Sequence, residues 1–237
     1  MNAIRSIFDA ILYEPIFNIF VGLYNIIPDV GVVIVLITVA IKLALFPSTK
    51  NSIMAQKSMQ ELQPKLEELK KKHKNDQQKL AQETMALYKE HKVNPLGSCL
   101  PILIQLPILL ALYWVFQAGL TSDNFDALYS FVPAPEFLNP VSFGLFDLSE
   151  PSIVLAVLAA LAQAWQARSM SRRRPPKAAG KGGKDEDMMA MTNKMMLYFL
   201  PAFTFIIALR FPAGVALYWF FSTLITAIQQ WILFKEN

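Results

Sequence analysis

Residues 30–46 read VGVVIVLITVAIKLALF and run into Pro47, with Thr38 and Lys42 as the only polar side chains. A helix needs about 20 mostly apolar residues to cross the hydrocarbon core of a bilayer. This run has the character of one crossing that stops at the proline. Four later stretches share that character, at 94–118, 151–168, 194–210 and 212–235, the last with 24 uncharged residues between Arg210 and Lys235. Prolines 101, 107 and 201 fall inside these runs, and membrane helices tolerate them where neighbours satisfy the freed carbonyls. Composition agrees. Of 237 residues 54% are apolar or aromatic and only 17% charged, with 17 Phe and a mean hydropathy of +0.36. A soluble domain of this size has too little interior to hide that surface. A single cysteine, Cys99, excludes a disulfide scaffold.

Charge placement then orients the chain. Residues 48–92 hold 10 Lys and residues 168–194 hold 8 Lys or Arg, which is 18 of the 22 basic residues. The loop 119–150 holds none and carries Asp123, Asp126, Glu136, Asp147 and Glu150. By the positive-inside rule the basic loops are cytoplasmic and the acidic loop outside. Five crossings place the N-terminus outside and the C-terminus inside. The expected fold is an all-α integral membrane protein with a five-transmembrane-helix core: helices at 29–47, 94–118, 151–168, 194–210 and 212–235. An extracytoplasmic loop occupies 119–150. Residues 1–28 repeat Ile4, Phe8, Ile11, Leu12, Ile19, Phe20 and Leu23 at near-helical spacing, interrupted by Arg5, Asp9, Glu14, Asn18 and Asn25. An N-terminal interfacial amphipathic helix, bent or broken at Pro15, fits them better than a sixth crossing or a retained signal anchor. No cleavage pattern follows it.

Residues 48–93 read as a cytoplasmic helical hairpin. Ala55, Met59, Leu62, Leu66 and Leu69 keep coiled-coil spacing, and Glu61–Lys65, Glu67–Lys71 and Glu68–Lys72 are favourable i,i+4 pairs. Pro64 should kink the first helix, and 73–76 should turn the chain into a second, with Leu80, Thr84 and Leu87 on one side. Such a pair is marginal alone and is expected to be mobile. Residues 169–193 form a basic cytoplasmic loop of linker composition, able to touch anionic lipid or ribosomal RNA. For both segments, enforcing topology is the plainer explanation of the charge.

Lys42 is the most informative side chain. An amine at mid-membrane costs about 2.5–3.5 kcal/mol on insertion scales and marks a cavity unless it snorkels to the interface. Thr38 lies one turn earlier on the same face. Gln105 in the second span, with Gln163 and Gln166 in the third, adds hydrogen-bonding groups that alone would be helix–helix clasps. Together they permit a shared water-accessible cavity. Nothing in the chain reads as an enzyme. The histidines, His73 and His91, fall in the hairpin without metal-ligand spacing, no acidic residue lies within a span, and no phosphate-binding glycine loop is present. No cofactor, metal or DNA is expected.

Residues 82–113, running through Asn94-Pro-Leu-Gly-Ser-Cys-Leu-Pro, resemble the YidC family of membrane-protein insertases. So do Met59-Gln-Glu-Leu-Gln-Pro-Lys and Phe211-Pro-Ala-Gly-Val-Ala-Leu-Tyr-Trp with Ile228-Gln-Gln-Trp, in the family's order over nearly the whole chain. The resemblance implies a short form of the family in a bacterial plasma (inner) membrane, without the large extracytoplasmic domain, lipobox cysteine or long basic tail of other members. It implies a hydrophilic groove in the inner half of the bilayer that passes nascent hydrophobic segments into lipid without nucleotide hydrolysis. The family's first-span arginine is replaced by Lys42, which keeps the charge but loses the guanidinium fork. Thr38 matches a groove position, Trp219 a substrate-contacting aromatic, and either Gln163 or Gln166 a groove glutamine. Implied partners are nascent membrane proteins, phospholipids, the ribosome (weakly, through the hairpin and basic loop) and, as a candidate, the Sec translocon. Competing functions for the same cavity are a small channel or transporter and a membrane-complex assembly factor.

Overall fold

The computed structural model describes residues 2–73, 76–94, 100–121, 125–171 and 195–235. The N-terminal segment is helical throughout: α1 (Asn2–Phe8), a π-helical turn (Asp9–Tyr13) and α2 (Glu14–Tyr24). Pro15 sits in the first turn of α2. The wider turn before it accommodates the proline ring and its missing N–H, so the helix passes Pro15 without the break expected there. Arg5–Tyr24 is long and apolar enough to cross a membrane. Its Phe17, Phe20 and Val21 are buried in the main core.

Helix α3 (Val30–Ala44) is capped by Asp29, whose side chain accepts from Val32 N at 3.1 Å. Its 15 residues rise about 22 Å, short of the ~30 Å core. At Leu45 the chain bends by 66° into α4 (Phe46–Glu61), with Pro47 in its first turn. The first expected crossing is therefore a bent pair, α3 leading directly into the arm. The arm continues through a break at Leu62 into α5 (Gln63–Lys72), with Pro64 in the first turn, and returns as α6 (Gln77–Glu90). Leu62 and Leu66 are buried, as the seam spacing requires. His73 Nε2 lies 2.9 Å from Glu83 Oε2. Lys65 Nζ donates to His91 Nε2 at 2.9 Å. Both histidines thus tie α5 to α6. Helix α6 nevertheless buries no residue. Amide hydrogen exchange over Gln77–Glu90 is therefore expected to finish well before that of the last helix, Ala213–Lys235. Equal protection of the two would show that the hairpin is anchored.

The remaining helices are α7 (Leu100–Phe116), extended by a π turn (Gln117–Thr121), then α8 (Ile153–Ser171), a π turn (Met195–Phe199), α9 (Leu200–Ala208) and α10 (Ala213–Lys235). Leu103–Leu120 and Ala213–Phe234 have crossing length, whereas Ile153–Ser169 and Leu197–Ala208 are shorter apolar helices. Most of the basic loop, from residue 172 to 193, lies outside the described residues. Helix α10 is the hub, packing against α8, α3, α4 and α7. Gly214 permits that approach, since an added Cβ would lie 3.2 Å from both Ile34 and the Phe116 ring.

The acidic loop between α7 and α8 is tied down by polar residues of the first helices. Asn18 Nδ2 donates to Ala127 O at 2.9 Å, and its Oδ1 accepts from Tyr129 N at 2.6 Å. Asn25 Nδ2 donates to Pro133 O at 2.8 Å, and Asn139 N donates to Tyr24 Oη at 2.9 Å. The loop then makes a small antiparallel hairpin, β1 (Val141–Ser142) and β2 (Phe146–Asp147). Ser142, fully buried, donates to Asp29 Oδ1 and accepts from Gly31 N at 2.9 Å, while Phe143 N donates to Asp29 Oδ2 at 2.9 Å. Gly31 is required here: a Cβ would clash with Ser142 Oγ and lie 2.7 Å from the Phe143 ring. Leu148 O and Glu150 O accept from Gly214 N and Ala213 N at 3.0 Å each, satisfying amides that the start of α10 leaves open. One end of the bundle is thus closed by a fitted lid of loop.

Candidate functional site

The polar side chains converge on α10, which carries Tyr218, Ser222 and Thr226 at i, i+4 and i+8, one stripe on a helix. Lys42, in the last turn of α3 before the bend, donates from Nζ to Thr226 Oγ1 at 2.9 Å. The threonine hydroxyl passes its own hydrogen to Ser222 O at 2.8 Å. From the other side, Gln105 on α7 donates to Tyr218 Oη at 2.5 Å, and its Oε1 accepts from Ser222 Oγ at 3.5 Å. Three helices that share little polar sequence are therefore joined by a chain of neutral hydrogen bonds ending in one cation.

That cation is under-partnered. Among the described residues Thr226 is the hydrogen-bond partner of Lys42, and no carboxylate pairs with it. An ammonium has three donors, so most of its capacity is available to water or to a visiting acceptor. The side chain is half-buried. Lys42 lies twelve residues beyond the start of α3, about 18 Å along its axis. An unpaired charge within an apolar helix is costly unless something polar reaches it.

The other expected residues are placed differently. Thr38 is completely buried and turns its hydroxyl to its own helix, donating to Ile34 O at 2.6 Å. Gln163 and Gln166 are both half-buried on α8 and make no hydrogen bond to the Lys42–Tyr218 chain. Trp219 is half-buried on α10, beside Tyr218. Tyr218, Ser222 and Thr226 carry no conspicuous property in the sequence beyond their four-residue spacing in an apolar run. At the root of α4 a cavity of about 380 Å³ is lined on its polar side by Asn51, Ser52, Ser58, Lys92 and Asn94. No cluster among the described residues could hold a metal ion.

Comparison with known proteins gives a single answer. The family described as "60Kd inner membrane protein" matches residues 22–237. The membrane protein insertase YidC of Fusobacterium nucleatum subsp. nucleatum is 37% identical over 207 residues, 87% of each chain. The Histophilus somni protein of the same name is 36% identical over 225 residues, 94% of this chain and 36% of that longer one. A crystal structure described as an active YidC insertase with its first transmembrane domain resolved superposes over 94% of this chain and 46% of its own, with a TM-score of 0.59 and 24% identity. The matched region includes α3, α7 and α10, the helices that hold the Lys42 chain. The chain belongs to the 60Kd inner membrane protein family, that of the YidC membrane protein insertases.

Proposed function

We propose that this YidC-family insertase receives a nascent hydrophobic segment from the cytoplasm and lowers the cost of moving its polar tail across the inner half of the bilayer. The observation that carries the reading is Lys42, a cation in an apolar helix that has, among the described residues, one neutral partner and no counter-ion. The tail partitions into a hydrophilic groove beside α10, where Lys42, Ser222 and Gln105 replace part of its hydration. The apolar segment slides into lipid, and its burial supplies the free energy, so no nucleotide is hydrolysed. In this reading the arm α4–α6 meets the client first, with weak help from the ribosome. The basic loops are cytoplasmic, the N-terminus is outside, and α1–α2 lies along the outer interface of a bacterial plasma membrane. Support for the last placement is that Asn18, mid-helix, and Asn25, at its end, both bond the acidic loop.

Photo-crosslinkers at Gln105, Trp219 and Thr38 test the proposal during translation of a single-span client. Capture is expected at Gln105 and Trp219 and not at Thr38, whose side chain is fully enclosed. Capture of mature subunits alone would make the protein an assembly factor. Solute flux with no polypeptide captured would make it a channel.

A further inference from the structure

The acidic loop is built in a way its composition does not require. Residues 119–150 contain no Lys or Arg and five acids, yet also five Phe and five Leu. The loop is fixed along its length by Asn18, Tyr24, Asn25 and Asp29, and it buries Leu138 and Leu148 in the core. Phe125, Leu128, Val132 and Phe146 pack partly buried against that core, but a second set of large apolar residues is held outward. Phe131 is 79% exposed, Phe137 62%, Phe143 49% and Leu145 78%. The tip of the β1–β2 hairpin has φ of 54° at Phe143 and 66° at Gly144. A bulky aromatic is uncommon in that left-handed region. The tip therefore keeps an exposed phenylalanine where glycine or asparagine would be conformationally easier.

The helices on either side of the loop also expose large apolar residues. The loop leads into α8, whose Ile153 and Val154 are 68% and 53% exposed, and it follows α7, whose Trp114 is 52% exposed. We propose that Phe131, Phe137, Phe143 and Leu145 form a lipid anchor, seated at the headgroup–acyl boundary of the outer leaflet. Aromatic and leucine side chains favour that boundary, while the exposed Glu136 and Asp147 remain in water. With no basic residue, the anchor is held by apolar burial and is insensitive to salt, unlike a polybasic patch. Its consequence is positional. Ser142 and Phe143 are bonded to Asp29 at the start of α3, so the depth of the loop sets the depth of Lys42 farther along that helix. The outer-leaflet assignment rests on the orientation proposed above.

The test uses the full chain with Cys99→Ser, reconstituted in phosphatidylethanolamine–phosphatidylglycerol liposomes, with one nitroxide at Phe131→Cys, Leu145→Cys or Glu136→Cys. The ratio of oxygen to nickel-chelate accessibility is expected to be several-fold higher at 131 and 145 than at 136, and unchanged by high salt. Equal ratios at the three sites would overturn the anchor. So would protection of 131 and 145 in native membranes but not in liposomes, which would identify a protein partner instead. Reaction of Glu136→Cys with a membrane-impermeant maleimide in intact cells reports the orientation separately. An oxygen preference without that reaction would move the anchor to the opposite leaflet and overturn the orientation rather than the insertion.

Discussion

Replacing Lys42 by Met is expected to cut insertion of an acidic-tailed single-span client by about tenfold while leaving a neutral-tailed client nearly unchanged. The magnitude follows from Coulomb's law: a carboxylate about 8 Å from the ammonium at an effective dielectric of ~20 gains about 2 kcal/mol. Water in the groove screens part of that, leaving about 1.4 kcal/mol, or roughly tenfold in partitioning. Lys42→Glu turns the attraction into repulsion of similar size, so the Lys-to-Glu ratio should approach a hundredfold for acidic tails. Lys42→Arg should restore most of the activity, because a long-range attraction needs the charge and not the fork. The variants should still fold. Thr226 keeps its bond to Ser222 O when the amine is removed, and methionine fills the space of the lysine stem. Proteoliposome insertion of matched clients with acidic and neutral tails is the measurement. Equal losses for both would mean that Lys42 acts through packing. No loss for either would remove it from the mechanism.

The residues that stand out in the sequence are those whose property is local. Lys42 is conspicuous because a charge within residues 30–46 has no neighbouring residue to excuse it, and Pro64 announced the α4–α5 break because proline acts on its own helix. What stayed hidden depends on partners distant in sequence. Asn18 and Asn25 read as interruptions of an apolar helix, yet each spends its amide on loop backbone more than a hundred residues away. The hydroxyls of Ser222 and Thr226 read as ordinary residues of a span, and Thr226 does bond its own helix at Ser222 O, as Thr38 bonds Ile34 O. Only the approach of α7 and α3 to α10 recruits them. Thr38 shows the limit of face arguments. It shares a face with Lys42, but that face is buried at one turn and partly open at the next.

Replacing Asp29 by Ala should loosen the closed end of the bundle more than any single change in the loop itself. The carboxylate caps α3 through Val32 N, accepts from Phe143 N and holds the buried hydroxyl of Ser142. A lost cap costs about 1 kcal/mol. A buried hydroxyl left without its acceptor costs about 1–3 kcal/mol more, and the Phe143 bond, being exposed, adds little. A loss of about 2–4 kcal/mol corresponds to a fall in Tm of several degrees or more for a chain of this size. Asp29→Asn should fall between, because one amide oxygen can cap the helix but its NH2 group meets the N–H of Phe143 donor to donor. Partial burial raises the pKa of Asp29, but the hydrogen bonds from Ser142, Phe143, Val32 and Gly31 outweigh it and hold the value below the ordinary 3.8. A carboxylate lowered on folding stabilises the fold fully above its unfolded pKa and loses that contribution as pH falls through the folded value. The gap in Tm between wild type and Asp29→Asn should therefore be constant near neutrality and close only below about pH 4. Hydrogen exchange locates the effect. In Asp29→Ala the amides of β1, β2 and Phe143 should lose protection while those near Thr226 keep theirs. If the hairpin stays protected, Asn18, Tyr24 and Asn25 suffice to hold the loop. The carboxylate would then be a helix cap and nothing more.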